Sequence, residues 1–372
     1  MSSSAGERPA AVVLVEDGGS DRSRRRAATQ EHETALHAGL SAGVTLTLAI
    51  LGSSVLPLPF AFSRLGVVPG LLIMLAVALG NALAGTLLLR AAGALDKHSF
   101  ESIAEAVGGR SWRVFTEVCL NLLLFGNVCG DFCLLADTGT IAVQELLPGG
   151  APRWLTAGDG RVVMSVLCML IVFPLSCLRR MRELEKVAST GLLFVVFVSA
   201  MIVYYSVADG LPAIRSGELP IWRPAVAANV PEAIGVLSFA FYLTPMLLPL
   251  LREMPAGKVG VDVTCTALQV VTVGIAYVCY AVIGVFAAAR YGLRTEGDIL
   301  VNRWLPGRWD GMLSAAMTLY LSISVAPMAM TLRSQLENLL LGEDAPRPRS
   351  RQIMLAGAVV LTSLARMLRV YL

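Results

Sequence analysis

The sequence predicts an all-α protein that crosses a membrane several times. Residues of the types AVILMFWYC make up 55% of the 372-residue chain, whereas charged residues make up only 15%. Soluble domains carry nearer a quarter charged residues, and apolar runs of about 20 residues match the hydrocarbon thickness of a bilayer. Such runs recur along almost the whole chain. These observations favour a multi-pass integral membrane protein that is embedded in a lipid bilayer.

Nine apolar runs are predicted to be transmembrane helices, numbered here as spans one to nine. They cover residues 38–62, 66–90, 112–138, 160–178, 184–207, 231–251, 263–289, 309–333 and 352–372. Residues 1–37 are rich in Ser, Arg, Glu and Gly without a sustained apolar period, which predicts a disordered cytosolic tail. The spans divide into a first group within 38–210 and a second group within 231–372.

The distribution of Lys and Arg predicts the orientation of the chain. Basic residues are concentrated in the tail and in the segment Arg179–Lys186, between spans four and five. The positive-inside rule places both in the cytoplasm, and the N-terminus with them. The net charge of +3 is too small to indicate a nucleic-acid partner. Ser99 to Gly108 is predicted to form a short amphipathic helix, capped by Ser99 and ended by Gly108.

Span one contains an interruption at mid-membrane depth, which we call break one. Its sequence is Gly52-Ser53-Ser54-Val55-Leu56-Pro57-Leu58-Pro59. A helix is broken in hydrocarbon only where the freed backbone groups meet protein, water or a ligand. Gly52 supplies backbone freedom, Ser53 and Ser54 supply hydroxyls and an N-cap, and Pro57 suits the first turn of the second half-helix. The free N–H groups of that turn attract a carboxylate.

Span six contains a second interruption, break two, and is predicted to run in the opposite direction. Its sequence is Ser238-Phe239-Ala240-Phe241-Tyr242-Leu243-Thr244-Pro245. The carbonyls freed there would accept hydrogen bonds from an ammonium group. Phe239, Phe241 and Tyr242 would line a side-chain pocket, and Thr244 adds a hydroxyl. Proline and glycine often mark only kinks in membrane helices, but paired interruptions in antiparallel spans favour one binding site for a zwitterion.

Other polar residues inside the spans are candidates for coupling transport to an ion. Asp131 and Asn127 lie in span three, and Ser322 and Ser324 lie in span eight. Carboxylates inside a membrane are costly and usually functional, so Asp131 is a candidate for carrying a proton, whereas Asp137 is expected nearer the outer interface.

The sequence gives little support for an enzyme or a metal site. The three histidines lie outside the predicted spans. Phosphate loops and nucleophile elbows are not found. Cys129 and Cys133 lie one helical turn apart, but no cluster of His or carboxylate residues lies nearby, so packing residues are the better interpretation.

Several of these motifs resemble those of the amino acid/auxin permeases. Leu51 to Phe62 is similar to the family's G-(S/A)-G-I-L-x-L-P-(Y/F)-A-F box, and Ser238 to Pro245 is similar to its F-A-F-x-x-(H/T)-P box. The segment Ser99 to Gly108 and the run Arg333-Ser334-Gln335-Leu336-Glu337 also match family patterns. The resemblance covers residues 38–372.

The resemblance implies a LeuT-type fold, in which two inverted five-helix repeats each begin with a broken helix. It also implies amino-acid transport by alternating access, driven by H⁺ or Na⁺ and without an organic cofactor. The substrate carboxylate would bind at break one, while break two would present backbone and ring surfaces to the amino group and side chain. The candidate substrate-binding residues are Gly52, Ser53, Ser54, Val55, Phe239, Ala240, Phe241, Tyr242 and Thr244.

Two departures from the family pattern affect this expectation. Sodium-coupled members commonly carry Asn four residues before the box glycine, where this chain has Leu48. Proton coupling is therefore favoured over sodium. The chain also has about nine of the eleven expected spans, so the second repeat is expected to be incomplete. A non-transporting amino-acid sensor and an inactive truncated paralogue stay open as alternatives, as do the plasma membrane and the vacuole or lysosome as locations.

Overall fold

The computed structural model describes residues 36–47, 49–147, 161–178, 182–255, 257–305, 308–341 and 349–370. The predicted disordered tail therefore lies almost wholly outside the described residues. Within them the regular structure is helical, without a strand. The helices are α1 (36–50, with residue 48 outside the described residues), α2 (Leu58–Leu65), α3 (Val67–Leu95), α4 (Phe100–Leu146), α5 (Arg161–Leu167), α6 (Phe173–Ser176), α7 (Arg182–Ala208), α8 (Pro212–Arg215), α9 (Val230–Ala240), α10 (Thr244–Glu253), α11 (Lys258–Gln269), α12 (Tyr277–Tyr291), α13 (Arg308–Leu341) and α14 (Arg349–Val370).

The membrane-type character of the chain is confirmed by these helices. Five helical stretches in the described chain are long and apolar enough to cross a bilayer: Val67–Leu95, Phe100–Leu146, Ala227–Glu253, Lys258–Arg294 and Arg308–Glu337. Shorter apolar stretches are found at Ser165–Ser176, Leu193–Ala208 and Ser350–Ala365. Two spans contain π-helical turns, at Cys168–Val172 and at Val270–Ala276. Such turns insert an extra residue into a helix and often accompany functional sites.

Break one separates α1 from α2 by a 3₁₀ turn, Ser53–Val55. Pro57 is the N-cap residue of α2, and Pro59 is its second residue. Pro57 therefore opens the first turn of α2, as predicted, because its carbonyl accepts a hydrogen bond from Ala61 N–H at 3.3 Å. Neither the 3₁₀ turn nor α2 has a side-chain cap. Ser54 instead donates to the carbonyl of Ile50 at 2.7 Å, which is the alternative that serine hydroxyls often take inside helices.

Break two separates α9 from α10. Helix α9 ends at Ala240, and three residues follow before α10 begins at Thr244. Pro245 is the second residue of α10, a position where its missing N–H leaves no intrahelical bond unmade. The backbone partly satisfies itself here, because Tyr242 N–H donates to Phe239 O at 3.1 Å and Met246 N–H donates to Leu243 O at 3.0 Å.

The packing of the helices brings the two breaks together. Helix α2 packs against α9 and α12, and α9 also contacts the 3₁₀ turn of break one. Helix α4 packs along α13 more extensively than any other described pair. Large side chains at this centre are fully buried, including Leu46, Phe62, Phe132, Phe241 and Tyr280. Both interruptions therefore lie in the packed interior of the helix bundle.

One end of the bundle is covered by residues 209–229 and 292–305, which we call the loop end. Val67 N–H donates to Pro220 O at 3.2 Å and Val68 N–H donates to Ile221 O at 2.9 Å. Gly66 fits between these segments because its φ is +78° and a Cβ would lie 2.4 Å from Arg223 O. The loop end is thus fixed to the start of α3.

Two ion pairs and one backbone bond also tie the loop end to the bundle. Arg290 pairs with Asp209 at 2.8 Å, and Arg303 pairs with Glu145 at 3.0 Å. The N–H of Ile299 donates to the carbonyl of Leu56 at 3.3 Å. Because Leu56 belongs to break one, this loop contacts the interrupted segment directly.

Arg333 joins α13 to the end of α6. Its guanidinium donates to the carbonyls of Ser176 at 2.5 Å and Leu178 at 3.3 Å. Glu337 lies one helical turn later, 3.6 Å from Arg333, and both residues are buried. The motif Arg333 to Glu337 therefore supplies donors to carbonyls that the end of a helix leaves open.

The short helix at the start of α4 differs from prediction at one residue. The Ser99 cap is confirmed, because its hydroxyl accepts a hydrogen bond from Ser102 N–H at 3.2 Å. The helix turns at Gly109, with a φ of +76°, and not at Gly108. Only a glycine adopts such a φ readily, so the short helix ends one residue later than predicted.

Candidate functional site

Ser53 at break one is hydrogen-bonded to Asp131 on α4. The Ser53 hydroxyl donates to Asp131 Oδ1 at 2.5 Å. Asp131 is 6% exposed and Asn127, one helical turn earlier, is 7% exposed. The structure therefore brings the coupling candidate Asp131 to break one. A carboxylate held by a hydroxyl in a buried site is chemically suited to bind and release a proton.

Ser54 at break one contacts Tyr280 on α12. The two hydroxyl oxygens lie 2.8 Å apart. The Tyr280 hydroxyl also lies within hydrogen-bond distance of the carbonyl of Ile50, at the end of α1, and of the carbonyl of Ala240, at the end of α9, the latter at 3.1 Å. A single buried hydroxyl thus links the freed carbonyls of both interrupted helices.

The serines of α13 have different surroundings. Ser324 lies against break one, because a Cβ on Gly52 would be 2.9 Å from the Ser324 hydroxyl. Ser322 is fully buried and donates to Thr318 O of its own helix at 2.8 Å. Tyr320, one turn before Ser324, donates to the carbonyl of Leu51 at 2.7 Å. Break one is therefore contacted by hydroxyls from both α12 and α13.

The aromatic residues of break two divide by exposure. Phe241 is fully buried, and its ring stands edge-to-face with Tyr280 at 5.2 Å between centroids. Val55 of break one and Ala240 of break two are also buried, each 2% exposed. Tyr242 and Thr244 are half-buried, while Phe239 is 42% exposed. Phe241 is thus the ring that faces the junction of the two breaks.

A narrow pocket lies beside break two. It is lined by Asn81, Phe241, Leu243, Thr244, Leu247, Leu268 and Thr272. It is too narrow in this conformation to admit a sphere the size of a water molecule. Thr272 belongs to the π-helical turn, and its hydroxyl is buried without a hydrogen-bond partner among the described residues.

Sequence reasoning missed Tyr280 and Tyr320. Tyr280 lies inside predicted span seven and Tyr320 inside predicted span eight. A tyrosine within a span was the one sign in the sequence that these residues contribute to the site. A phenol in a membrane-spanning helix needs a hydrogen-bond partner when it is buried. Nothing in the local sequence says that this partner lies more than 200 residues away, as it does for both tyrosines.

The loop end contains one carboxyl with a strongly shifted pKa. The pKa of Asp298 is raised to about 7, chiefly by burial and to a smaller extent by the nearby Asp137 carboxylate, against the hydrogen bond from Leu300 N–H, which lowers it. Leu300 N–H donates to Asp298 Oδ1 at 2.9 Å. Asp298 therefore titrates near neutral pH in a loop that contacts break one.

Comparison with known proteins relates the chain to membrane transporters. A profile of the family described as "Transmembrane amino acid transporter protein" matches residues 38–365. The chain is 23% identical over 336 residues to "Amino acid transporter AVT6E" of Arabidopsis thaliana, covering 86% of this chain and 67% of that protein.

Two further relatives match shorter stretches. The chain is 24% identical over 269 residues to "Vacuolar amino acid transporter 2" of Saccharomyces cerevisiae, covering 69% of this chain and 53% of that protein. It is 23% identical over 261 residues to "Solute carrier family 38 member 10" of Mus musculus, covering 68% of this chain and 23% of that protein. The chain therefore spans between about a quarter and two thirds of the length of these relatives.

The family match covers most of the chain and includes both breaks. The resemblance to the amino acid/auxin permeases is confirmed by it, and by relatives whose names describe transporters and not enzymes. This chain belongs to the transmembrane amino acid transporter protein family.

Proposed function

We propose that the chain is a secondary active amino-acid transporter that is coupled to protons. The observation that carries this proposal is the meeting of two interrupted helices at one buried point, next to the carboxyl of Asp131. Interrupted helices at the membrane midplane are the usual site for substrate and coupling ion in such transporters. The family match supports an amino acid as the substrate.

The proposed substrate site has one end that binds an anion, the carboxylate, and another that binds a cation, the amino group. Backbone N–H groups of the 3₁₀ turn at break one, within residues Gly52 to Val55, would donate hydrogen bonds to the substrate carboxylate. The carbonyl of Ala240 at break two would accept a hydrogen bond from the amino group. Phe241, Tyr242 and Thr244 would contact the side chain, with Phe239 at the margin because it is more exposed.

The proposed coupling site is Asp131. Its carboxyl accepts a hydrogen bond from Ser53, which belongs to the proposed carboxylate site. A substrate carboxylate bound beside Ser53 would be repelled by a charged Asp131. Substrate binding would therefore favour the protonated form of Asp131. Proton and substrate would then move together. Sodium is the second candidate ion, since Ser324 also supplies an oxygen beside Gly52.

We also propose the arrangement in the membrane. The spans would follow the LeuT-type pattern, with the N-terminus in the cytoplasm and the loop end on the opposite side. In the described conformation the loop end is tied to break one by Ile299 and Leu56, which corresponds to a site closed from that side. The plasma membrane and the vacuole or lysosome are the candidate locations.

Uptake in a transport-deficient cell tests the proposal. The chain is expected to move at least one member of a panel of labelled amino acids, faster at the pH that directs protons inward. Ser54→Trp should abolish uptake by filling the junction of the breaks, whereas Leu193→Trp, at a position 72% exposed, should leave uptake unchanged. Equal uptake by the chain and by Ser54→Trp, with both present at the membrane, would contradict the site.

A sensor that binds an amino acid without transporting it is the second candidate. The arginine-rich segment before span one favours it, since a charged tail is suited to recruit a cytosolic partner. Deleting residues 1–30 separates the two functions. A transporter is expected to keep its uptake after this deletion, whereas a sensor would lose its signal.

A further inference from the structure

The hydroxyl of Tyr280 is surrounded by more hydrogen-bond acceptors than its single proton can bond to. It contacts the carbonyls of Ile50 and Ala240 and the hydroxyl of Ser54, and Ser54 in turn contacts the carbonyl of Ile50. These are four contacts, but the two hydroxyls carry only one proton each. At most two of the contacts are hydrogen bonds at any moment.

An ammonium group would satisfy the same surroundings more completely. It carries three N–H donors and a positive charge, and hydrogen bonds from a charged donor are the stronger kind. The carbonyls of Ile50 and Ala240 and the oxygen of Ser54 are three acceptors around one point. Their number and chemistry match an ammonium better than a phenol.

Tyr280 has the burial expected of a group that fills a site. Its side chain is fully buried, and its ring packs edge-to-face on Phe241, the buried ring of break two. Tyr277 on the same helix makes a useful contrast. It is half-buried, and its hydroxyl reaches the carbonyl of Leu71 at 3.4 Å, away from both breaks.

We propose that the hydroxyl of Tyr280 occupies the position of the substrate's amino group and joins the two breaks when substrate is absent. This inference rests on the proposed function. An amino acid that enters the site displaces the hydroxyl from the two carbonyls, and the hydroxyl returns when the amino acid leaves. Tyr280 is thus a positioning residue that competes with substrate and stabilises the empty site.

Tyr280→Phe tests this competition because it keeps the ring and removes the hydroxyl. Without the competing group, the binding of a labelled amino acid to purified protein is expected to tighten by roughly threefold to tenfold, the range of one hydrogen bond. A tyrosine that binds substrate directly would give weaker binding in the variant, which would overturn the proposal.

Transport by reconstituted protein gives an independent measurement. Net uptake requires the empty carrier to return, whereas exchange of labelled for unlabelled amino acid does not. Tyr280→Phe is expected to lower net uptake by roughly threefold to tenfold while exchange is kept. An equal loss of both would show a structural role only and would overturn the proposal.

Controls separate this inference from the proposed function and from misfolding. Tyr277→Phe should change neither the binding nor the ratio of exchange to net uptake. If the chain itself transports no amino acid, the proposed function fails, and binding alone then decides the role of Tyr280. Should Tyr280→Phe fail to fold, Tyr280→Leu provides a second removal of the hydroxyl, and weaker binding by that variant would equally overturn the proposal.

Discussion

Break one and break two differ in what holds them. Break one is contacted by side chains from other helices: Asp131 on α4, Tyr280 on α12 and Ser324 on α13. Tyr320 on α13 bonds to the carbonyl of Leu51, the residue just before the break. The described polar contacts of break two are mostly of its own backbone, and Tyr280 is the side chain that reaches it from elsewhere. Its interior face is formed by the ring of Phe241.

This difference separates two tasks within the proposed site. A segment fixed by several hydrogen bonds keeps its geometry, which suits binding the coupled proton and the carboxylate that all amino-acid substrates share. A segment held by packing changes its shape when one side chain is replaced, which suits selection among substrate side chains. We therefore expect substitutions at break one to affect coupling and those at break two to affect selectivity and stability.

The largest effect is expected from Asp131→Asn at break one. The amide keeps the size of the side chain but does not take up the coupled proton. Uptake driven by a pH gradient should fall at least about tenfold, while exchange without a gradient persists. Ser53→Ala is the matched control, because it removes the 2.5 Å hydrogen bond but leaves the carboxyl in place. Its uptake should therefore still depend on the pH gradient. Unchanged dependence on the pH gradient in Asp131→Asn would remove Asp131 from coupling.

The next effect compares two rings of break two. Phe241 is fully buried and Phe239 is 42% exposed. In soluble cores the truncation of a buried Phe to Ala costs roughly 3–5 kcal/mol, so Phe241→Ala should clearly lower the Tm in detergent and should admit larger substrates. Phe239→Ala should shift the Tm by less. Equal shifts would show that break two does not depend on the buried ring.

A smaller effect is expected where α13 approaches break one. In Gly52→Ala the new Cβ would lie 2.9 Å from the Ser324 hydroxyl. That hydroxyl can rotate, so we expect uptake to fall only about threefold. The double variant Gly52→Ala with Ser324→Ala should recover part of the loss, because the second change makes room for the first. A loss that is purely additive in the double variant would contradict this contact.

The smallest effect concerns the pH dependence of stability at the loop end. The folded-state pKa of Asp298 is about 7, above its usual value of 3.8. The stabilisation from the protonated carboxyl is therefore present at low pH and is lost as the pH rises through about 7. The Tm should fall between pH 5 and pH 8, and Asp298→Asn should reduce this change. An identical fall in the variant would mean that another group is responsible.

Residue types with strong local preferences were informative before the structure was known. Gly52 follows the end of α1, and prolines are located where α2 and α10 begin. The cost of a carboxylate in hydrocarbon singled out Asp131, which the structure places against Ser53. Each of these inferences depends on the type of one residue and on its neighbours in sequence, so it can be made from the sequence alone.

Contacts between distant segments could not be predicted in the same way. Tyr280 and Tyr320 bond to the carbonyls just before break one, from helices that follow it by more than 200 residues. The role of Ser54 was also misjudged, since its hydroxyl has two competing partners, a helix-capping N–H and the carbonyl four residues earlier. The exposure of Phe239 depends on the direction in which α9 ends, which a helical period does not fix once the helix stops.

The contacts of Gly66 also bear on the order in which the chain is made. The first N–H groups of α3, at Val67 and Val68, are bonded to the carbonyls of Pro220 and Ile221. A ribosome that adds about 5–20 residues per second reaches those acceptors roughly 8–30 s later. During synthesis, the start of α3 therefore waits for a segment that follows span five.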